Sequence, residues 1–294
     1  MRTMDLDDLE IFRSVVREGG VTRAAAHLHR VPSNVTTRIK QFEERLGVAL
    51  FRRQGRSLAL TEAGRTLLGH AEKLLQMADQ AERDLRGGAV RGVLRLGSLE
   101  SAAGARLPPI LSAFYARYPD VAIELQTGTT RALLRQLDGF EIEAAFISEP
   151  FERRGLASAH VFDEDLVLIT GKGATTIREA VALGGRTVVA FPHGCSYRAR
   201  LVAWLEGEGA SPERVLEMNS YHAIVACVAA GTGVAIVPSE MLDHAVLSDA
   251  VQRHPLPERL RRNRTHLVWT GAASAPLQAL MTLLPKPASD IRAA

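Results

Sequence analysis

The sequence predicts an α/β protein in three stretches, and three observations carry that prediction. Apolar residues recur at helical spacing through the first sixty residues, broken by two turns and ending in a basic hairpin. A repeat with spacings of four, three, four, three and four then runs from Leu67 to Leu85. Beyond Gly88, strand-like and helix-like runs alternate for roughly 200 residues, the pattern of sheets covered by helices.

The first helix is expected from Asp5, a good cap, to Arg17, with Leu6, Leu9, Phe12 and Val16 facing inward. A second begins near Thr22 after the Gly19-Gly20 turn, carries Ala24, Ala25 and Leu28 on its apolar side, and stops before Pro32. A third starts with Pro32 in its first turn, where the missing N–H costs nothing. Val35, Ile39, Phe42 and Leu46 form its buried stripe. Its other face offers Ser33, Asn34, Thr36, Thr37, Arg38 and Gln41, side chains that reach base edges when a helix lies in the major groove of double-stranded DNA. Residues 50–60 then read as a wing, two short strands that set Arg52, Arg53 and Arg56 against phosphates or the minor groove.

From Thr61 to Arg86 a single long helix is predicted, ended by Gly87-Gly88. Its stripe of Leu67, Ala71, Leu74, Ala78, Ala81 and Leu85 suits a second copy of the same helix, hence a dimer that sets two recognition helices on palindromic DNA. The alternative is that the stripe packs on the chain's own winged helix. In the remainder, strands are expected at 93–97, 121–127, 143–148, 157–162, 166–170, 187–191, 215–219 and 234–237. Helices are expected at 108–118, 129–137, 177–183, 196–207 and 221–230, and the alternation argues for parallel sheets.

Charge and composition narrow the function classes. The total charge of +3 hides a net of +5 between Arg30 and Arg65, leaving −2 elsewhere, so the positive charge lies where the winged helix lies. No apolar run is long enough to span a membrane, and Asp5, Asp7, Asp8 and Glu10 interrupt any signal peptide; the cytoplasm is the expected compartment. Two cysteines, Cys195 and Cys227, make no disulfide framework.

Four motifs in order now carry a family resemblance. They are Asp5-Leu6-x-x-Leu9-x-x-Phe12, Ala24-Ala25-Ala26-x-Leu28-x-Arg30, Leu46-Gly47-x-x-Leu50-Phe51-Arg52-Arg53 and Leu60-Thr61-x-Ala63-Gly64. Together they resemble the amino-terminal winged helix-turn-helix of the LysR-type transcriptional regulators. One departure is the opening of the recognition helix, Val31-Pro32-Ser33-Asn34-Val35-Thr36, where many members read Ser-Gln-Pro-Ala-Leu-Ser. The resemblance implies a winged helix-turn-helix domain (1–60), a linker and dimerisation helix (61–88), and a two-lobed α/β effector domain (89–294) of the periplasmic-binding-protein architecture. By the same analogy lobe I takes residues 91–163 and 267–294 and lobe II takes 164–266. It also implies a dimer of dimers, a small-molecule effector, and RNA polymerase as a further partner.

Ligands of open α/β sheets sit beyond the strand carboxyl ends, against helix amino termini. Four such junctions stand out: Ser98-Leu99-Glu100-Ser101, Thr127-Gly128-Thr129, Pro192 to Arg198, and Ser220-Tyr221-His222. From these, Ser98, Ser101, Thr129, Cys195, Ser196, Tyr197 and His222 are the candidate effector-binding residues, suited to a small anionic or zwitterionic metabolite. Each Ser or Thr is equally a plain helix cap. Cys195, near His193 and Arg198 and at a helix start, also permits a redox-responsive reading through a thiol of lowered pKa, while Cys227 reads as packing.

Other constellations carry no chemistry. Gly171-Lys172-Gly173-Ala174-Thr175-Thr176 lacks the third glycine and acidic partner of a dinucleotide loop and reads as a turn. His27 and His29 have no completing metal ligands, Glu141 and Glu143 read as a solvated face, and no nucleophile motif occurs. No cofactor, metal or catalytic residue is therefore expected. A regulator is favoured over an α/β enzyme, or a transport-type binding protein, with a DNA-binding head.

Overall fold

The computed structural model describes residues 4–54, 57–85, 90–152, 155–243 and 247–285. The chain forms two compact units, the first from residues 1–88 and the second from nearly all of the rest.

In the first unit, α1 spans Leu6–Arg17, α2 Val21–His27 and α3 Pro32–Leu46. Asp5 caps α1 by accepting the Asp8 N–H at 2.8 Å. Pro32 opens α3 and Gly47, at φ +70°, closes it. Leu9, Ile11, Phe12, Val15, Ala24, Ala25, Val35, Ile39 and Phe42 form one buried core. Each large side chain there contributes about 1.5–3 kcal/mol by leaving water. Leu6, expected inward, is half exposed, and Ile11 and Val15 take part in the buried core instead.

The wing strands β1 (Phe51–Gln54) and β2 (Ser57–Leu60) pair antiparallel, Phe51 opposite Leu60. Glu43 anchors them by accepting the N–H groups of Leu50 and Phe51 at 2.6 and 3.0 Å. The long helix α4 runs Glu62–Leu85. At Gly64 a β-carbon would lie 2.2 Å from the Leu50 carbonyl oxygen, so only glycine lets α4 leave the wing this closely. The expected seam is split. Ala71 and Leu75 are buried in the core with Leu67 and Leu68 against it, whereas Leu74 is 41% and Met77 62% exposed. A straight helix turns 3.6 residues per turn, so a strict heptad drifts off one partner. Ala78 is half-buried, Ala81 is exposed, and the Leu85 side chain lies outside the described residues.

The second unit opens with β3 (Gly92–Ser98), α5 (Glu100–Ala105), α6 (Leu107–Arg117), β4 (Val121–Thr127), α7 (Thr130–Asp138) and β5 (Ala144–Ser148). The two strand runs expected at 157–162 and 166–170 are one strand, β6, of 16 residues, Leu156–Gly171. Then come α8 (Ile177–Arg186), β7 (Thr187–Ala190), α9 (Ser196–Gly207), β8 (Arg214–Glu217), α10 (Tyr221–Ala229), β9 (Ala235–Pro238) and α11 (Ser239–Asp243). The chain ends with β10 (Val251–His254), α12 (Glu258–Arg261), β11 (Arg262–Thr270) and α13 (Ala275–Met281).

Strand β6 belongs to two sheets. Over 156–165 it pairs with β11, and over 166–171 with β9 and β10. The first sheet is ordered β6-β11-β5-β3-β4. In the second, β9 and β10 flank β6, and β7-β8 join through the parallel bridge Val188–Val234. The expectation of parallel sheets is corrected by one strand in each. Strand β11 runs against β5 and β6, and β6 runs against β9 and β10, because these two carry the chain back and forth between sheets. Separate cores lie on them. One is built on Leu94, Leu96, Phe114, Phe146 and Leu267, the other on Leu168, Val188, Leu201, Ile224 and Val237.

Candidate DNA interface and ligand site

On α3 Val35, Ile39 and Phe42 are buried and Leu46 half-buried, and Ser33, Asn34, Thr36 and Thr37 are exposed on the other side. Thr36 Oγ1 donates back to the Pro32 carbonyl at 2.9 Å. Arg38 departs from expectation. Its Nη2 lies 2.7 Å from Asp7 and 3.1 Å from Asp8, with Asp5 at 3.8 Å. Three carboxylates at the start of α1, the Asp5 cap with Asp7 and Asp8, therefore surround a guanidinium assigned to base edges. Arg30 is also paired, with Asp7 at 2.7 Å, and Arg45 bonds Asp8 closely. The Asp8 side chain has no exposed surface, and burial pushes its pKa up despite Arg38 and Arg45. Arg56 and the Arg53 side chain lie outside the described residues.

In the second unit the seven effector candidates fall into three places. Ser98, Ser101 and Tyr197 are buried; Ser98 Oγ donates to the Leu99 carbonyl at 2.9 Å, and Tyr197 reaches Glu164 of β6. The Glu164 carboxylate accepts from Tyr197 OH at 2.7 Å, Asn263 Nδ2 at 2.6 Å and Thr265 Oγ1 at 2.8 Å. Ser148 Oγ donates to Asn263 Oδ1 at 2.7 Å, and Ser101 lies beside the Tyr197 hydroxyl. Burial pushes the Glu164 carboxyl up, and burial and then Glu164 raise the Tyr197 phenol well above its usual range. Tyr197 thus stands in a closed polar knot, not on a ligand wall.

His222 is exposed at one edge, next to Glu100. The Glu100 carboxylate accepts the Tyr221 N–H at the start of α10, and burial raises its pKa. The chain's own anion therefore fills that helix terminus. Arg106 and Glu240 form an ion pair on the same side.

Thr129, Cys195 and Ser196 lie at the other edge, between α7 and α9. The Arg131 N–H donates to the Gly194 carbonyl at 3.3 Å, and Thr129 Oγ1 caps α7 through the Ala132 N–H. Gly194, at φ +100°, has no room for a β-carbon, which would come 2.7 Å from Arg131 Cβ. A cavity of about 620 Å³ opens here, with Cys195 and Ser196 among its lining residues and Leu134, Phe151 and Val202 on its apolar sides. Neither Arg131 nor Glu100 was singled out by sequence. Their signal was position, Glu100 within a quoted strand-to-helix junction and Arg131 two residues after one.

Cys195 is a buried free thiol whose pKa burial pushes up, although the N–H groups of Arg198 and Tyr197 oppose the shift. The lowered pKa of the redox reading is not found. Cys227 is a half-buried free thiol packed on a core. The 171–176 segment ends in a capping box, Thr176 with Glu179, and serves as a turn into α8. Among the described residues no group of three His, Cys, Asp or Glu could hold a metal ion, and no helix is long and apolar enough to cross a membrane.

An exposed polar face on the second helix of a winged helix-turn-helix, joined in one chain to a two-sheet α/β unit with an intersheet cavity, defines a ligand-responsive DNA-binding regulator. The chain belongs to the LysR family of transcriptional regulators: residues 6–65 match the bacterial regulatory helix-turn-helix of the lysR family, and residues 87–286 match the LysR substrate binding domain. It is 38% identical over 257 residues to the HTH-type transcriptional regulator CzcR of Bacillus thuringiensis subsp. konkukian, covering 87% of this chain and 88% of that one. Similar folds are a full-length OxyR variant of Pseudomonas aeruginosa (TM-score 0.71, 20% identity, 96% and 95% of the two chains) and full-length CbnR complexed with its target DNA (TM-score 0.67, 21% identity, 96% and 99%). The chain is a DNA-binding transcriptional regulator and not an enzyme.

Proposed function

We propose that the protein binds palindromic operator DNA as a dimer, reading bases through Ser33, Asn34, Thr36 and Thr37, and changes that binding when a small metabolite occupies the second unit. The observation that carries the reading is the polar face of α3, exposed opposite the buried Val35, Ile39 and Phe42. Arg53 and Arg56 of the wing are assigned to phosphates and Arg38 to the edge of the interface, where its contacts with α1 limit its reach. The half of α4 that carries Leu74, Met77 and Ala81 is assigned to the dimer contact, with Leu85 continuing it. A dimer of dimers, a contact with RNA polymerase and a cytoplasmic location are part of the same proposal, supported by membership of the family.

On the ligand side, Thr129, Cys195 and Ser196 are assigned to the wall, Ser101 and Tyr197 to the buried knot, Ser98 to the buried end of β3 and His222 to the opposite edge. Selection of binding sites from random duplex DNA is the test. Enriched sites are expected to be inverted repeats with a fixed half-site separation, and Asn34→Ala is expected to reduce the enrichment. Enrichment of unrelated, non-repeating sequences would refute the dimeric reading.

A further inference from the structure

We propose that the ligand of the second unit is a monocarboxylate with an extended apolar body, lying in the groove between α7 and α9 with its carboxylate on Arg131 and His193. This rests on the reading above that the unit binds a small molecule, and adds which end of the cleft it uses and what chemistry it carries.

The groove has the size of a small-ligand site, about 620 Å³, and a polarity that runs along it. Its floor is one face of α9, where Ala199, Val202 and Ala203 follow Ser196 at helical spacing as far as Glu206. At 1.5 Å per residue that face is about 15 Å long, enough for an alkyl chain or an aryl ring with a short tether. Leu134 and Phe151 form apolar sides, so the middle of the groove offers a ligand hydrocarbon contact and little else.

The charged end is different. Arg131 is exposed, and among the described residues the one side-chain partner of its guanidinium is His193 Nδ1 at 3.5 Å. A guanidinium that faces an imidazole, with no carboxylate beside it, accepts an incoming carboxylate without breaking an ion pair. Arg198 is not equivalent, since Glu217 holds it at 2.6 Å. The other end of the cleft is closed to anions, because the Glu100 carboxylate occupies the start of α10. Arg131 belongs to the first sheet's α7 and His193 to the loop before α9 on the second. A carboxylate shared by both ties the lobes together where the Gly194 carbonyl already bonds the Arg131 N–H.

The test uses the full-length protein, with octanoate, phenylacetate and octylamine as probes, followed by melting temperature and calorimetric titration. Octanoate and phenylacetate are expected to raise the melting temperature saturably and octylamine to leave it unchanged. Arg131→Gln, at an exposed position, is expected to weaken octanoate by about ten- to a hundredfold. Val202→Trp fills the floor and is expected to abolish binding; its ligand-free melting temperature reports whether it folds. Tighter binding of octylamine than of the acids, absence of binding by either acid, or acid binding that survives both substitutions overturns the proposal. Failure of the functional reading looks different: octanoate binds and is lost in Arg131→Gln, yet saturation leaves affinity for the selected operator unchanged.

Discussion

The Arg38 guanidinium of the recognition helix lies 3.1 Å from Asp8, whose side chain has no exposed surface. A cation on the DNA-facing element thus serves first to neutralise a buried anion of α1. Arg38→Ala leaves Asp8 with Arg45 as its remaining close partner. It is expected to cost about 1–3 kcal/mol of stability by chemical denaturation. In an Asp8→Asn background the same change should cost much less, and equal costs in both backgrounds would deny the coupling.

Among the described residues the Asn34 side chain is exposed and has no such second duty. Asn34→Ala should weaken binding to the selected operator by about 1–3 kcal/mol while leaving affinity for unrelated duplex DNA nearly unchanged. Anisotropy titrations on both duplexes separate the outcomes, and a uniform loss would place Asn34 on phosphate instead.

The two halves of α4 should respond oppositely to substitution. Met77→Glu puts charge on an exposed apolar position and is expected to shift sedimentation toward the monomer with little change in melting temperature. Leu75→Ala removes a buried side chain from the winged-helix core and is expected to destabilise by about 2–5 kcal/mol. A dimer undisturbed by Met77→Glu would move the contact elsewhere.

Glu164 gives a pH signature. Burial raises its folded-state pKa, so the folded protein holds this proton more tightly than the unfolded chain. Its contribution is fully present below the unfolded pKa and is lost as pH rises through the folded one. Glu164→Gln should remove that slope from the melting temperature as pH is raised from the ordinary carboxylate range. A slope identical in parent and variant would assign it to other groups, such as Glu100, whose pKa burial also raises.

What the sequence made legible was local. Helix stripes, Asp5 as a cap, Pro32 at a helix start and the strand-to-helix junctions all depend on neighbours within a few residues, and the elements lie close to where spacing put them. What it hid was distant. Glu164 meets Tyr197, Asn263 and Thr265 across 33, 99 and 101 residues, and no period encodes such a meeting. Strand β11 escaped notice because Arg262, Asn263, Arg264, Thr265 and His266 do not read as a strand, though Asn263, Thr265 and His266 are buried. Arg38 looked like a base reader because its helix face was legible and the acids of α1 behind it were not.

Strand β6 sets a limit on how the effector unit moves. One unbroken 16-residue backbone serves both sheets, bonded to β11 along one part and to β9 and β10 along the other. Sliding the lobes apart would break ladder hydrogen bonds, whereas twisting about this axle keeps them. A ligand in the proposed groove is therefore expected to act as torque along a stiff shaft, rather than as a jaw that gapes and shuts.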